Sequence, residues 1–252
     1  MKIQYCSDLH LEFKENSEFL NANPIKPVGE ILILAGDIFP LKHIEDIKGF
    51  INYVSDNFKE VYMIPGNHEW YRYNIPKEGD SLDTDLRDNV HLINNKEVKI
   101  GDTNFIFSTM WSHVKRHNAH EVAKTVNDFR LIGKEGRTLT VPQFNKFHEN
   151  ALEFLKDAVK KSVGQKTVVI THHVPTIMNY PPEYINSPIN GAFAVELHDF
   201  ILDSGVDYWI YGHHHRNIPE FNIGKTKMLT NQLGYVYYME HKGFKLDALI
   251  EI

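Results

Sequence analysis

The sequence predicts an α/β fold, from the alternation of short β-prone runs with amphipathic helical segments and from polar residues gathered just beyond the strand ends. Residues 2–6 (KIQYC) and 30–35 (EILILA) read as buried strands, each followed by an acidic residue, Asp8 and Asp37. From Ile44 to Phe58 the residues Ile44, Ile47, Phe50, Ile51, Val54 and Phe58 recur at three- and four-residue spacing, which marks one face of a helix. A strand at 61–64 (VYMI) completes a strand, helix, strand rhythm, that of βαβ units with right-handed crossovers. The runs 90–94, 96–100 and 104–109, with a Gly101-Asp102 turn, predict an antiparallel hairpin inserted between two βαβ-like halves. Residues 111–139 have no clear period; a loop of that length is usually functional or mobile, and it is expected to border the substrate.

Thr140 is placed to cap a long helix on which Phe144, Phe147, Ala151, Leu152, Leu155, Ala158 and Val159 form the apolar face, ending near Gly164. A strand at 167–170, a proline-rich loop at 174–190, a helix from about Ala192 to Ser204 and a strand at 207–211 follow, then β-prone runs at 218–222, 226–230 and 244–251. No repeat, low-complexity segment or linker composition divides the chain, so one domain over 1–252 is expected.

The 42% hydrophobic and 24% charged fractions exclude the disordered and fibrous classes. A net charge of −6 lacks the broad basic field with which non-specific nucleic-acid binders displace counterions, although bound metal ions would make a local pocket electropositive. The single cysteine, Cys6, allows no internal disulfide and no thiolate zinc site, which fits a reducing compartment. The N-terminus lacks a signal-peptide h-region and no apolar run approaches the roughly 20 residues of a membrane span, so a cytoplasmic protein without membrane contact is expected.

Strand after strand ends in a segment of metal-binding residues: Ser7-Asp8-Leu9-His10, Gly36-Asp37, Gly66-Asn67-His68-Glu69, Thr171-His172-His173 and Gly212-His213-His214-His215. In open α/β sheets the carboxyl ends of neighbouring strands lie side by side, so these segments are expected to meet in one crevice. Mixed imidazole and carboxylate ligands suit Mn, Fe or Zn, and the number of clusters implies two ions. A glycine directly before Asp37, Asn67 and His213 lets the backbone approach such a site closely.

The motifs SDLH, AGD, PGNHE, THH and YGHHH, in this order over residues 5–216, resemble those of the calcineurin-like metallophosphoesterase family. That resemblance implies a four-layer sandwich in which two mixed β-sheets pack face to face between helices. It implies a hydrolase of phosphate esters with two metal ions, Asp8, His10 and His215 holding the first, Asn67, His172 and His213 the second, and Asp37 bridging them. A water activated between the ions would attack phosphorus in line. His68, not a ligand in the family, would be the catalytic residue, stabilising developing charge or protonating the leaving oxygen. The second motif reads GDIFP rather than the GDxVDRG of the protein Ser/Thr phosphatases, so phosphoprotein hydrolysis loses support. SDLHLEF, GNHEWY and Gly234-Tyr235 look closer to small bacterial-type members.

Other residues are read more plainly. His91, His148 and His198 are assigned no function, His214 should point away from the side that holds His213 and His215, and Glu69 should orient its neighbours. Trp70, Tyr71, Asn127 and Arg130 are candidate substrate contacts, the first two by stacking and Arg130 by clamping phosphate. The expected substrate is a small or nucleotide-like phosphodiester or phosphomonoester. The alternatives are a nuclease of the same family, which lacks a basic patch to support it, and a metal-binding scaffold without turnover, which degenerate ligand positions would have favoured.

Overall fold

Along Ile31–Ala35 successive side chains enter different cores: Leu32 and Leu34 pack with Ile51 and Val54, while Ile31, Ile33 and Ala35 pack with Phe105, Phe107, Val168 and Ile170. Strand geometry sends alternate residues to opposite faces, and a run apolar at every position is thereby buried on both. The same division recurs in a second sheet, where Ile106 and Val169 pack with Leu155 and Ala158 of a helix, and Phe105, Phe107, Val168 and Ile170 face the first sheet. In the computed structural model, which describes residues 1–252, the result is helices, sheet, sheet and helices, the four layers that the family resemblance implies.

The two large sheets have six strands each. The first runs Leu249–Glu251, Lys2–Cys6, Ile31–Ala35, Glu60–Ile64, Val90–Asn94, Leu82–Arg87, with parallel pairing among the central strands and antiparallel pairing at both edges. The second, Phe221–Ile223, Thr226–Leu229, Tyr208–Ile210, Lys166–Thr171, Thr103–Ser108, Lys96–Ile100, has the same plan. Because the central strands of each sheet are parallel, their carboxyl ends share an edge, and the segments carrying Asp8, Asp37, Asn67, His172 and His213 leave from those ends.

Helix Val141–Lys161 begins with a capping box between Thr140 and Gln143, carries Pro142 in its first turn and ends with Lys160 and Lys161, which complement the helix dipole. Phe144, Phe147, Ala151, Leu155, Ala158 and Val159 are its buried face. Helices Lys14–Ala22 and Lys48–Asn57 lie on the outer side of the first sheet, with Leu20, Ile51 and Val54 in its outer core.

The structure corrects several expectations. Residues 90–94 do not join a hairpin with 96–100: Val90 and Leu92 pair parallel to Glu60–Ile64, and Asn95, at φ 54°, turns the chain into the other sheet. The hairpin of Lys96–Ile100 and Thr103–Ser108 is an edge of the second sheet rather than an insertion. Residues 111–139 contain helices Ala119–Thr125 and Asp128–Leu131 over a satellite core of Trp70, Trp111, Val122, Phe129 and Phe144. These helices are too short for their period to stand out in sequence. The helix expected from Ala192 begins only at His198, and helix Lys14–Ala22, strand Leu82–Arg87 and a small sheet of Asn74–Ile75, Gly133–Lys134 and Arg137–Thr138 had no sequence signal.

Candidate metal centre

Five polar residues of the strand-end segments, Asp8, His10, Asp37, His213 and His215, have φ between 46° and 79°. That left-handed conformation costs a non-glycine residue about 1–2 kcal/mol, so its concentration here marks a site held by its surroundings. The holding bonds are visible. Asp8 N–H donates to the Gly36 carbonyl at 2.9 Å, His10 N–H to the Asp37 carbonyl at 3.0 Å, and His213 N–H to Asp8 Oδ1 at 3.0 Å. His215 N–H donates to Gln232 Oε1 at 2.8 Å. A Cβ on Gly36 would lie 2.4 Å from His172 Nδ1, and one on Gly66 would lie 2.2 Å from Asp37 Oδ1, so the backbone's close approach requires glycine at both positions.

The imidazoles meet in two pairs. His10 Nε2 and His215 Nε2 are 2.9 Å apart, while His10 Nδ1 faces Glu12 at 3.2 Å and His215 Nδ1 faces Glu240 at 2.8 Å. His172 Nε2 and His213 Nδ1 are 3.1 Å apart, with the outer nitrogens on the carbonyls of Ala35 and Ala192. Asp37 Oδ2 lies between the pairs, 3.7 Å from His10 Nε2 and 3.4 Å from His172 Nε2, and Asp8 Oδ1 is 3.4 Å from His215 Nε2. Carboxylates and carbonyls only accept, so each outer nitrogen carries the ring's proton and each inner nitrogen has its lone pair turned to its partner.

A cation between the two nitrogens of a pair satisfies both lone pairs. Burial is the largest single effect and opposes charge on His172, yet the Asp37 and Asp8 carboxylates and the Ala35 carbonyl together outweigh it and raise the His172 pKa to about 9. His213 is held well below the usual range by burial and by its histidine neighbours. His215 is pushed up to about 10 against burial by its bonds to Asp8 and Glu240, and His10 is held down by burial and His68. A metal cation would fit the same place, since the inner nitrogens of each pair turn toward a common point beside Asp37. Asn67 fits as well. Its amide nitrogen donates to Asp128 at 2.8 Å and Tyr71 at 3.1 Å, which fixes the amide orientation and leaves the buried Oδ1 without a partner. The groups Asp8, His10, Asp37, His215 and Asp37, His172, His213 therefore have the chemistry to hold two metal ions.

A family model described as calcineurin-like phosphoesterase matches residues 1–217. The chain belongs to the calcineurin-like phosphoesterase family. As such it is a metal-dependent phosphoesterase, and the family implies two divalent ions. This calcineurin-like phosphoesterase is 30% identical, over an alignment of 276 residues spanning 99% of the chain and 96% of the relative, to an uncharacterized protein of Acanthamoeba polyphaga mimivirus. In fold it is similar to a phosphopantetheinyl hydrolase from Mycobacterium tuberculosis (TM-score 0.73, 14% identity, covering 99% of this chain and 95% of that one). It is also similar to a dimetal phosphatase from Danio rerio (TM-score 0.54, 14% identity, covering 92% and 87%).

Beside the two pairs, His68 Nδ1 donates to Glu12 Oε1 at 2.7 Å, so Nε2 is its free nitrogen, 3.4 Å from the Tyr235 hydroxyl. Burial disfavours charge on His68, but Asp37 and Glu12 outweigh it and raise its pKa. Glu69 acts as expected from sequence in orienting its neighbours: its carboxylate accepts from the amides of Asp37, Ile38 and Gly66 at 3.0, 2.7 and 2.6 Å. A cavity of about 380 Å³ opens onto Asp37, Asn67, His68, His213 and His215.

Of the candidate substrate contacts, Tyr71 and Asn127 line this cavity and Trp70 and Arg130 do not. Trp70 is fully buried in the satellite core, and the Arg130 guanidinium turns to the Lys124 carbonyl on the exposed side of its short helix. His214, expected to point away, does bond Gln232 behind the site, but its ring also reaches the cavity wall and stacks on Tyr180 at 5.6 Å. His173 is buried against Trp111 and His213 with neither nitrogen bonded. Glu12, Gln232 and Glu240 carried no expectation from the sequence. Only Glu12 had a signal, two residues beyond His10 in the first motif.

Proposed function

We propose that the protein hydrolyses a phosphate ester of a small or nucleotide-like molecule, with Asp8, His10 and His215 holding one metal ion, Asn67, His172 and His213 the other, and Asp37 shared between them. The observation that carries this reading is the paired imidazole lone pairs, at 2.9 Å and 3.1 Å, flanking one aspartate oxygen. When bound, the ions would supply Lewis acidity toward the phosphoryl oxygens and toward water. The mixed imidazole and carboxylate set suits Mn or Fe, with Zn also compatible.

The chain's own residues do the rest. Glu12 fixes the His68 tautomer and ring angle, so that Nε2 is the atom presented to the cavity. Held through Nδ1 by Glu12, His68 is placed to donate a proton to the leaving oxygen from Nε2. Asp128 orients the Asn67 amide, and Glu69 gathers four backbone amides, those of Asp37, Ile38, Phe39 and Gly66, beside the Asp37 carboxylate.

The test is hydrolysis of bis-(p-nitrophenyl) phosphate and p-nitrophenyl phosphate by metal-stripped protein reconstituted with Mn, with His68→Ala alongside. A phosphopantetheinyl ester joins the panel because a protein of similar fold is named for that activity. Turnover that depends on both Mn and His68 is expected, and the better substrate assigns diesterase or monoesterase. Metal-loaded protein silent on all three, with His68→Ala unchanged, would overturn the reading and favour the scaffold alternative.

A further inference from the structure

We propose that the substrate arm beyond the phosphorus is an uncharged aromatic group, aryl or nucleoside, and that the cavity rejects arms carrying further negative charge. This deepens the phosphoesterase reading of the same site and rests on it. No lysine or arginine lines the cavity, whereas Asp37, Asp128 and Glu240 all do. Arg216, next to His215, pairs with Glu183 at 3.6 Å, and the Arg130 guanidinium turns to a backbone carbonyl. Metal ions and His68 would neutralise the reacting phosphate, but a second phosphate or a carboxylate on the arm would find no lysine or arginine among the lining side chains. A buried anion without a partner is strongly disfavoured.

What the wall offers instead is aromatic. Tyr180, Tyr184, Phe193 and Tyr235 line the cavity. Tyr180 is fixed by stacking on His214 (5.6 Å, 12°) and Phe193 by stacking on His213 (5.1 Å, 26°), so their positions are set before any ligand enters. Tyr184, 6.4 Å from Tyr180 and 36% exposed, continues the wall to the rim. Asn190 also lines the cavity with its Oδ1 unpartnered, an acceptor for a donor edge on the arm. A volume of about 380 Å³ is that of a small-ligand site. A planar, uncharged arm gains offset stacking here without burying an unpaired charge.

The test uses non-hydrolysable ligands, so that it reads binding rather than turnover. Calorimetry on the Mn-loaded protein compares 4-nitrobenzylphosphonate with its near-isostere 4-carboxybenzylphosphonate and with methylphosphonate, while p-nitrophenyl phosphate hydrolysis is followed separately. The nitro compound should bind at least tenfold tighter than either of the others, and Tyr184→Ala should reduce its advantage over methylphosphonate at least threefold. The methylenephosphonate isostere of adenosine 5′-monophosphate then sorts a nucleobase from a simple aryl arm within the same class. Equal or tighter binding of the carboxylate, or no advantage over methylphosphonate, overturns the proposal. The expected binding order with no hydrolysis of p-nitrophenyl phosphate would leave the arm preference standing and count against turnover alone.

Discussion

His172 Nε2 and His213 Nδ1 lie 3.1 Å apart, and the far nitrogen of each ring faces a main-chain carbonyl, Ala35 O at 2.9 Å and Ala192 O at 3.4 Å. A cation between the two nitrogens satisfies both lone pairs. The backbone enforces the contact, because both carbonyls belong to segments fixed at strand ends or beside the cavity. A metal held between these rings binds only the folded chain, so metal binding should report on folding stability.

A metal at 100 times its dissociation constant stabilises the native state by about 2.7 kcal/mol, or about 5–10 °C in melting temperature for a chain of this size. Scanning calorimetry with Mn and with chelator should show that difference. It should shrink in His172→Ala and in His213→Ala. Identical melting in Mn and chelator would contradict the assignment.

His68→Ala should lower kcat by about 10²–10⁴ while leaving metal content unchanged, since His68 Nε2 faces the cavity and Nδ1 is held by Glu12. Glu12→Gln keeps the size but weakens the charge-assisted bond, and a smaller loss in kcat is expected. Metal analysis beside steady-state kinetics separates the two roles; loss of metal in His68→Ala would make it a ligand instead.

Glu69→Ala should be among the costliest substitutions in the chain. It strands the amides of Asp37, Ile38 and Gly66 in a fully buried setting. Each orphaned donor costs about 1–3 kcal/mol, so a loss of about 3 kcal/mol or more in urea unfolding is expected. A change under about 1 kcal/mol would show that the loop reorganises at little cost.

His91 should give stability a pH dependence unrelated to the metal centre. It bonds Asp85 at 2.6 Å and Glu60 at 3.0 Å, and although burial opposes its charge these carboxylates raise its pKa. A histidine with a raised folded-state pKa contributes stability that is complete below the unfolded value of about 6.5 and is lost as pH rises through the folded value. The carboxylates are well exposed, so the contribution is about 1 kcal/mol at most. Urea unfolding in chelator should show His91→Ala more costly at pH 5.5 than at pH 8.5. The same cost at both would remove the ion pairs from the account.

The central strands and the long helix were legible because their apolar spacing is regular over enough residues, as along Ile31–Ala35 and Phe144–Val159. The site's geometry was not. Nothing in sequence marks Asp8, His10 or His215 as left-handed, since that conformation is imposed by bonds to Gly36, Asp37 and Gln232 from distant segments. Arg130 illustrates the opposite failure: a residue type suited to phosphate lies near the site in sequence, but a helix of only four residues turns it to the outer surface.

The most direct test of the two-metal account is a titration of metal-free protein with Mn, following p-nitrophenyl phosphate and bis-(p-nitrophenyl) phosphate hydrolysis and metal content together. Activity should rise from background to a plateau at two Mn per chain and vanish with chelator. Hydrolysis that is complete without added metal, or metal bound at two per chain with no turnover of either ester, would contradict the account.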